Sequence, residues 1–118
     1  MRRMRVQSFG LYNRTVVKDS EGGTSDTFGA EILLVGEVWP AGGRVQAQMY
    51  GESLPYIRNV KIKGEYTVSD VSGRTVYQFD GFAVSELDGL RLETESGPDY
   101  RIISITPHRP LRLEAQKI

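Results

Sequence analysis

The chain contains no cysteine, one histidine and one tryptophan among its 118 residues. Without cysteine there is no disulfide framework, thiolate nucleophile, zinc knuckle or iron–sulfur ligation. A single histidine excludes paired-His metal motifs and argues against a His-centred triad. Charge of one sign is not in excess either, since 15 Lys and Arg balance 15 Asp and Glu. The positive surplus with which dedicated nucleic-acid binders neutralise phosphates is therefore missing. Long hydrophobic runs are lacking too. The longest aliphatic stretch is Ile32-Leu33-Leu34-Val35, far short of a bilayer span. The basic opening MRRMRVQSFG is not followed by the apolar run of a signal peptide. These absences lead us to expect a cytosolic chain with no membrane association, no metal and no cofactor. Its length suits a single domain over residues 1–118.

What is present is alternation. Lys61–Val68 reads as the clearest strand, with Ile62, Tyr66 and Val68 on one face and Lys61, Lys63, Glu65 and Thr67 on the other. Leu90–Glu95 and Leu111–Ala115 repeat the pattern. Ile32–Trp39 is apolar on both faces, which predicts a central strand buried on both sides. Asn13–Lys18, Val45–Tyr50, Thr75–Phe79 and Asp99–Ile105 complete about eight expected strands, with at most a turn or two of helix. Residues 19–26 form a polar, Gly-rich stretch expected to be a long loop. Asp70–Arg74 and Glu95–Asp99 carry hairpin-turn residues. The expectation is an all-β chain: a small β-barrel of about eight short strands with long loops.

The balanced charge is unevenly spread. Residues 1–63 hold nine Lys/Arg against six Asp/Glu, and residues 64–118 hold six against nine. The acidic excess is densest where Asp80, Glu86, Asp88, Glu93, Glu95 and Asp99 face only Arg91. Such a run is ordinarily a solvated face. It also suits one copy meeting the next through complementary patches, as in a head-to-tail ring.

Catalytic signals are weak. Ser53 lacks the second glycine of a nucleophile elbow, and His108 lies between Pro107 and Pro110 as an exposed turn residue. Glu86–Gly89 lacks the spacing of a calcium loop. A paired-carboxylate hydrolase has no support from spacing. No catalytic residue is assigned, and enzymatic activity is not expected. The aromatics Trp39, Tyr50, Tyr56, Tyr66, Tyr77, Phe79 and Phe82 suit the alternative of an OB-like module binding single-stranded nucleic acid. Against it, Tyr66 shares the apolar face of its strand. Arg44, Arg58, Lys61 and Lys63 would also have to build a basic groove locally. The segment Pro40–Gly64 is long for a barrel connection. It carries Met49, Tyr50, Leu54, Tyr56 and Ile57, which suggests a loop that buries these side chains against a neighbour.

The run Glu37–Glu52 and the stretch Leu54–Asn59 resemble the midsection of head-closure (head–tail joining, adaptor or stopper) proteins of long-tailed phages and prophages. Tyr100–Ile105 followed by Leu111–Glu114 resembles the closing hairpin of that family, with Tyr12–Val17 as its opening strand. The resemblance implies a small β-barrel with long loops, forming a self-associated ring beneath the portal, a dodecamer by the portal's symmetry. It implies a structural protein of the virion neck, present in host cytoplasm during assembly. Its partners would be a portal or adaptor ring, a tail or tail-completion protein and, transiently, packaged DNA. By position, a channel loop within Ala41–Gly64 would offer Arg44, Gln46, Gln48, Met49, Tyr50, Glu52, Leu54, Tyr56, Ile57 and Arg58 to the channel or to neighbours. Glu21, Asp26 and Phe28, with Glu86 and Asp88, would contact adjoining rings from the Asp19–Gly29 and Val84–Gly89 loops. The acidic, Gly-interrupted stretch Asp80–Gly89 is longer than the family pattern.

Overall fold

A computed structural model describes residues 6–18 and 20–118. Six strands close into a barrel: β1 (Val6–Tyr12), β4 (Ile32–Pro40), β5 (Ile57–Ile62), β11 (Leu111–Lys117), β10 (Tyr100–Thr106) and β9 (Gly89–Arg91), in that order around the wall. Every neighbouring pair is antiparallel. The protein is thus a small all-β barrel. Closure leaves no strand edge, and alternate side chains point inward. Phe9 and Leu11, Val60 and Ile62, Leu90, Tyr100 and Ile102, and Leu111, Leu113 and Ala115 fill the interior.

Three insertions decorate the barrel. β2 (Arg14–Lys18) and β3 (Thr24–Phe28) form a hairpin between β1 and β4. Helix α1 (Gly43–Tyr50) and a 3-10 turn (Gly51–Tyr56) join β4 to β5. β6 (Thr67–Val71), β7 (Arg74–Gln78) and β8 (Ala83–Val84) form a three-stranded sheet between β5 and β9. That sheet is held to the barrel by Tyr66, Tyr77, Phe79 and Phe82. Phe79 stacks on Phe82 at 4.7 Å and Tyr66 meets Tyr77 edge-on at 5.8 Å. The Tyr66 hydroxyl donates to the His108 carbonyl at 2.8 Å, so Tyr66 is the core residue its alternation implied. Because adjacent strands reverse direction, the β2–β3 hairpin and the β6–β8 sheet leave one end of the barrel, and the α1 excursion leaves the other.

Several expectations are corrected here. Val45–Tyr50 is helix, not strand. Its Gln, Ala and Met are strong helix formers, and Val45 and Met49 fit helical spacing as well as alternation. Lys61–Val68 is two elements, broken at Gly64, whose φ of +125° turns the chain out of the barrel. Tyr66 is buried, but Val68 is exposed on the appended sheet. β4 is covered on one face only, and Leu33 and Val35 point outward into the open. The opening strand is Val6–Tyr12, ahead of the expected Tyr12–Val17. The expected long polar loop is largely the hairpin itself, with Thr24–Phe28 paired to Arg14–Lys18. Asp19 lies outside the described residues. The turn at Asp70–Arg74 is as expected, with Ser72 and Gly73 both at positive φ between the paired Val71 and Arg74.

Candidate interaction surfaces

The segment between β4 and β5 begins where the Ala41 amide donates to the Ile57 carbonyl at 3.1 Å, pinching the base of the excursion. From there α1 folds back on the outer wall of β5 and β11. Its contact with that wall is polar. The Gln46 side-chain amide donates to Asn59 Oδ1 at 2.6 Å and to Glu114 Oε2 at 2.7 Å. Gln46 Oε1 accepts from Asn59 Nδ2 and, one turn back, from the Gly42 amide. Tyr50 lies beside the same Glu114, and burial, then this carboxylate, pushes its hydroxyl up to about 12.

Gln46 and Ile57 are therefore buried against the chain's own barrel rather than presented to a neighbour, which corrects their expected exposure. Ile57 and Arg58 belong to a barrel strand, so the excursion ends at Tyr56 rather than Gly64. Arg44, Gln48, Met49, Glu52 and Tyr56 are exposed, and Tyr50 and Leu54 are half-buried. Arg58 is half-buried. Its guanidinium lies 5.6 Å from the centroid of the Tyr100 ring and donates to Glu93 at 3.2 Å. The Tyr100 hydroxyl is buried. Burial raises its pKa to about 12, with the Arg58 charge opposing and Glu93 adding.

The other expected set sits at the opposite end. Glu21 and Asp26 are exposed on the β2–β3 hairpin, and Glu86 is exposed beyond β8. Phe28 is half-buried beneath the Arg101 guanidinium, 5.5 Å from its ring centroid. Asp26 bridges Arg14 and Arg101, tying the hairpin to β10. Asp88 is not a surface contact. It is 1% exposed and accepts from the Arg14 amide at 2.8 Å, the Ser85 amide at 2.9 Å and Asn13 Nδ2 at 3.1 Å. Burial raises its carboxyl above the ordinary value, while these three donors work in the opposite direction. Between the hairpin and β6–β7 lies a cleft of about 730 Å³ lined by Arg14, Thr15, Val16, Val71, Ser72 and Arg74.

The acidic run also changes character. Asp99 is buried and caps the Leu92, Glu93 and Thr94 amides at 2.8–3.1 Å. Glu93 pairs with Arg58 and Lys117. Asp80, Glu86 and Glu95 remain as its exposed members without an ion pair among the described residues. Three cations of the basic half, Arg2, Arg3 and Arg5, lie outside the described residues.

Two features escaped sequence reasoning. Trp39 is flanked on the outer wall by Lys61 and Arg112, each 5.6 Å from its ring centroid. Val6, Leu33 and Val35 form an apolar stripe across β1 and β4 that no other described residue covers. The doubly apolar pattern of Ile32–Trp39 carries the stripe, but its outward half, Leu33 and Val35, is exposed rather than buried. Among the described residues no group of His, Asp and Glu is placed to hold a metal ion, and no helix is long and apolar enough to cross a membrane. No protein-family model matches this chain, and no curated protein or solved structure matches it.

Proposed function

We propose that this chain is a structural head-completion protein of a long-tailed phage or prophage, forming a ring under the portal that closes the DNA channel and docks the tail. The observation that carries this reading is the α1 excursion, which lies within the stretches Glu37–Glu52 and Leu54–Asn59 that resemble head-closure proteins. It buries a glutamine and turns Val45, Met49 and Tyr56 outward. A helix folded only for its own barrel would do the reverse. Leaving one large apolar side chain in water forgoes about 1.5–3 kcal/mol relative to burying it. An excursion with three of them outward is suited to a neighbour. The closed barrel also has two unlike ends, one carrying the hairpin and appended sheet, the other the base of the α1 excursion. A subunit stacked between a portal or adaptor ring and a tail needs two such different faces.

Contact with packaged DNA in this role is transient. Gln48, Met49 and Tyr56 offer little charge to phosphate, and Arg44 stands alone among them as an exposed cation. The OB-like alternative loses stacking surface, since Tyr66, Tyr77 and Phe79 are buried. Deleting the chain's gene from the phage that encodes it tests the reading by electron microscopy of the lysate. The expected result is heads that fill but leak DNA, alongside unjoined tails. Normal tailed particles would overturn it, and tight, salt-sensitive binding of the purified chain to single-stranded DNA would favour the alternative.

A further inference from the structure

We propose that the outer wall of β1 and β4 in one copy receives the outward face of α1 from the next, so that copies associate through two unlike surfaces. The proposal rests on the ring reading above and names the two surfaces that build the ring. On the wall, Val6, Leu33 and Val35 are 47%, 69% and 64% exposed. Ser8 stands opposite Val35 and Gly10 opposite Leu33, so Val35 has a small cross-strand neighbour, while beside Leu33 the Glu31 side chain lies over Gly10. On α1, Val45 and Met49 are four residues apart and share one side of the helix. They are 69% and 61% exposed, with Tyr56 of the adjoining 3-10 turn at 54%.

Charge selects the pairing. Glu37 borders the wall directly across from Val6, and Arg44 precedes Val45 on the helix. Among the described residues neither has an ion-pair partner. A wall-against-wall contact brings two Glu37 and no Arg44 into one interface, and a helix-against-helix contact brings two Arg44 and no Glu37. Wall against helix sets Glu37 against Arg44. Like charges disfavour both symmetric pairings, and opposite charges favour the unlike one. Unlike surfaces leave one of each kind free after every contact, so association continues until it closes.

The absence of cysteine makes the test clean. Leu33→Cys and Met49→Cys are prepared separately and together and treated with a short bismaleimide crosslinker. The expected result is no covalent dimer from either single variant alone, dimers from their mixture, and a ladder of covalent multimers from the double variant. Glu37→Arg or Arg44→Glu should reduce the ladder roughly fivefold, and combining the two reversals should restore it. Dimers from one single variant alone would overturn the proposal in favour of a symmetric contact. No ladder at a concentration where light scattering detects multimers would reject these surfaces while leaving a ring on other faces. Scattering that stays monomeric at every concentration, with no ladder on DNA-filled heads lacking the chain, would overturn the ring reading as well.

Discussion

Gly36 occupies a point in β4 where no side chain fits. A Cβ there would stand 2.4 Å from the Lys61 carbonyl oxygen and 3.1 Å from the Phe9 ring. The carbonyl belongs to the adjacent barrel strand and cannot withdraw without breaking closure. Gly36→Ala should therefore cost about 1–3 kcal/mol, as overpacked cores do, read as a lower urea midpoint with an unchanged slope. Gln46 presents the opposite situation, a buried polar side chain with every donor and acceptor used. Gln46→Ala leaves Asn59 and Glu114 without their shared partner under α1. It should cost about 1–3 kcal/mol by the same measurement. Neither position announced itself in the sequence. Gly36 follows a run of apolar strand formers and looks like a weak spot in a strand. Gln46 sits among similar polar residues, and only the helix decides which of them turns inward.

At the scale of elements, charge is one of the ties between the β2–β3 hairpin and the barrel, beside the packing of Phe28 under Arg101. The hydrogen bond from Arg101 holds the Asp26 carboxyl below its ordinary 3.8, partial burial works against this, and the Arg14 charge adds to it. A carboxyl depressed in the folded state binds fewer protons there than in the unfolded chain. Its contribution is complete above the ordinary value and is lost as pH falls through the lower folded value. Glu31 behaves in the same sense, held down first by Arg91 and then by Tyr12. Protection of the β3 amides, corrected for intrinsic exchange, should begin to fall as pH drops towards the ordinary 3.8 and go on falling through the lower folded value. Asp26→Asn should remove most of that dependence, and an unchanged profile would show that the bridge contributes nothing to docking.

The elements differ in how far the sequence revealed them. β11 was legible because its inward residues, Leu111, Leu113 and Ala115, alternate without interruption, whereas β10 alternates at Tyr100 and Ile102 before its register shifts between Ile102 and Ser104. The β6–β7 turn was legible from Ser72-Gly73. Helix α1 was not, because Val45-Gln-Ala-Gln-Met49 satisfies a period of two and a spacing of four alike. The break at Gly64 was hidden because alternation resumes on its far side in the same phase.

For the whole molecule, alternation pointed correctly to a small all-β barrel, but composition did not show how charge is distributed over it. The barrel order places β1, β4 and β5 side by side and β11, β10 and β9 side by side, so the two halves of the sequence are also two halves of the wall. Arg58 with Glu93 and Arg91 with Glu31 then join those halves within one copy. Asp88 and Asp99 are consumed as internal anchors. The charge left for partners is smaller than the sequence suggested, and the apolar stripe and the outward face of α1 take over as the prominent surfaces. The central claim, that the chain completes heads by joining them to tails, is tested most directly by mixing in vitro. DNA-filled heads lacking the chain are combined with free tails and purified protein, and infectious particles are counted. The protein should restore joining, and Val45→Asp/Met49→Asp, folded to the same urea midpoint, should not. No rise over buffer, from heads that an extract containing the chain can still complete, would contradict the claim.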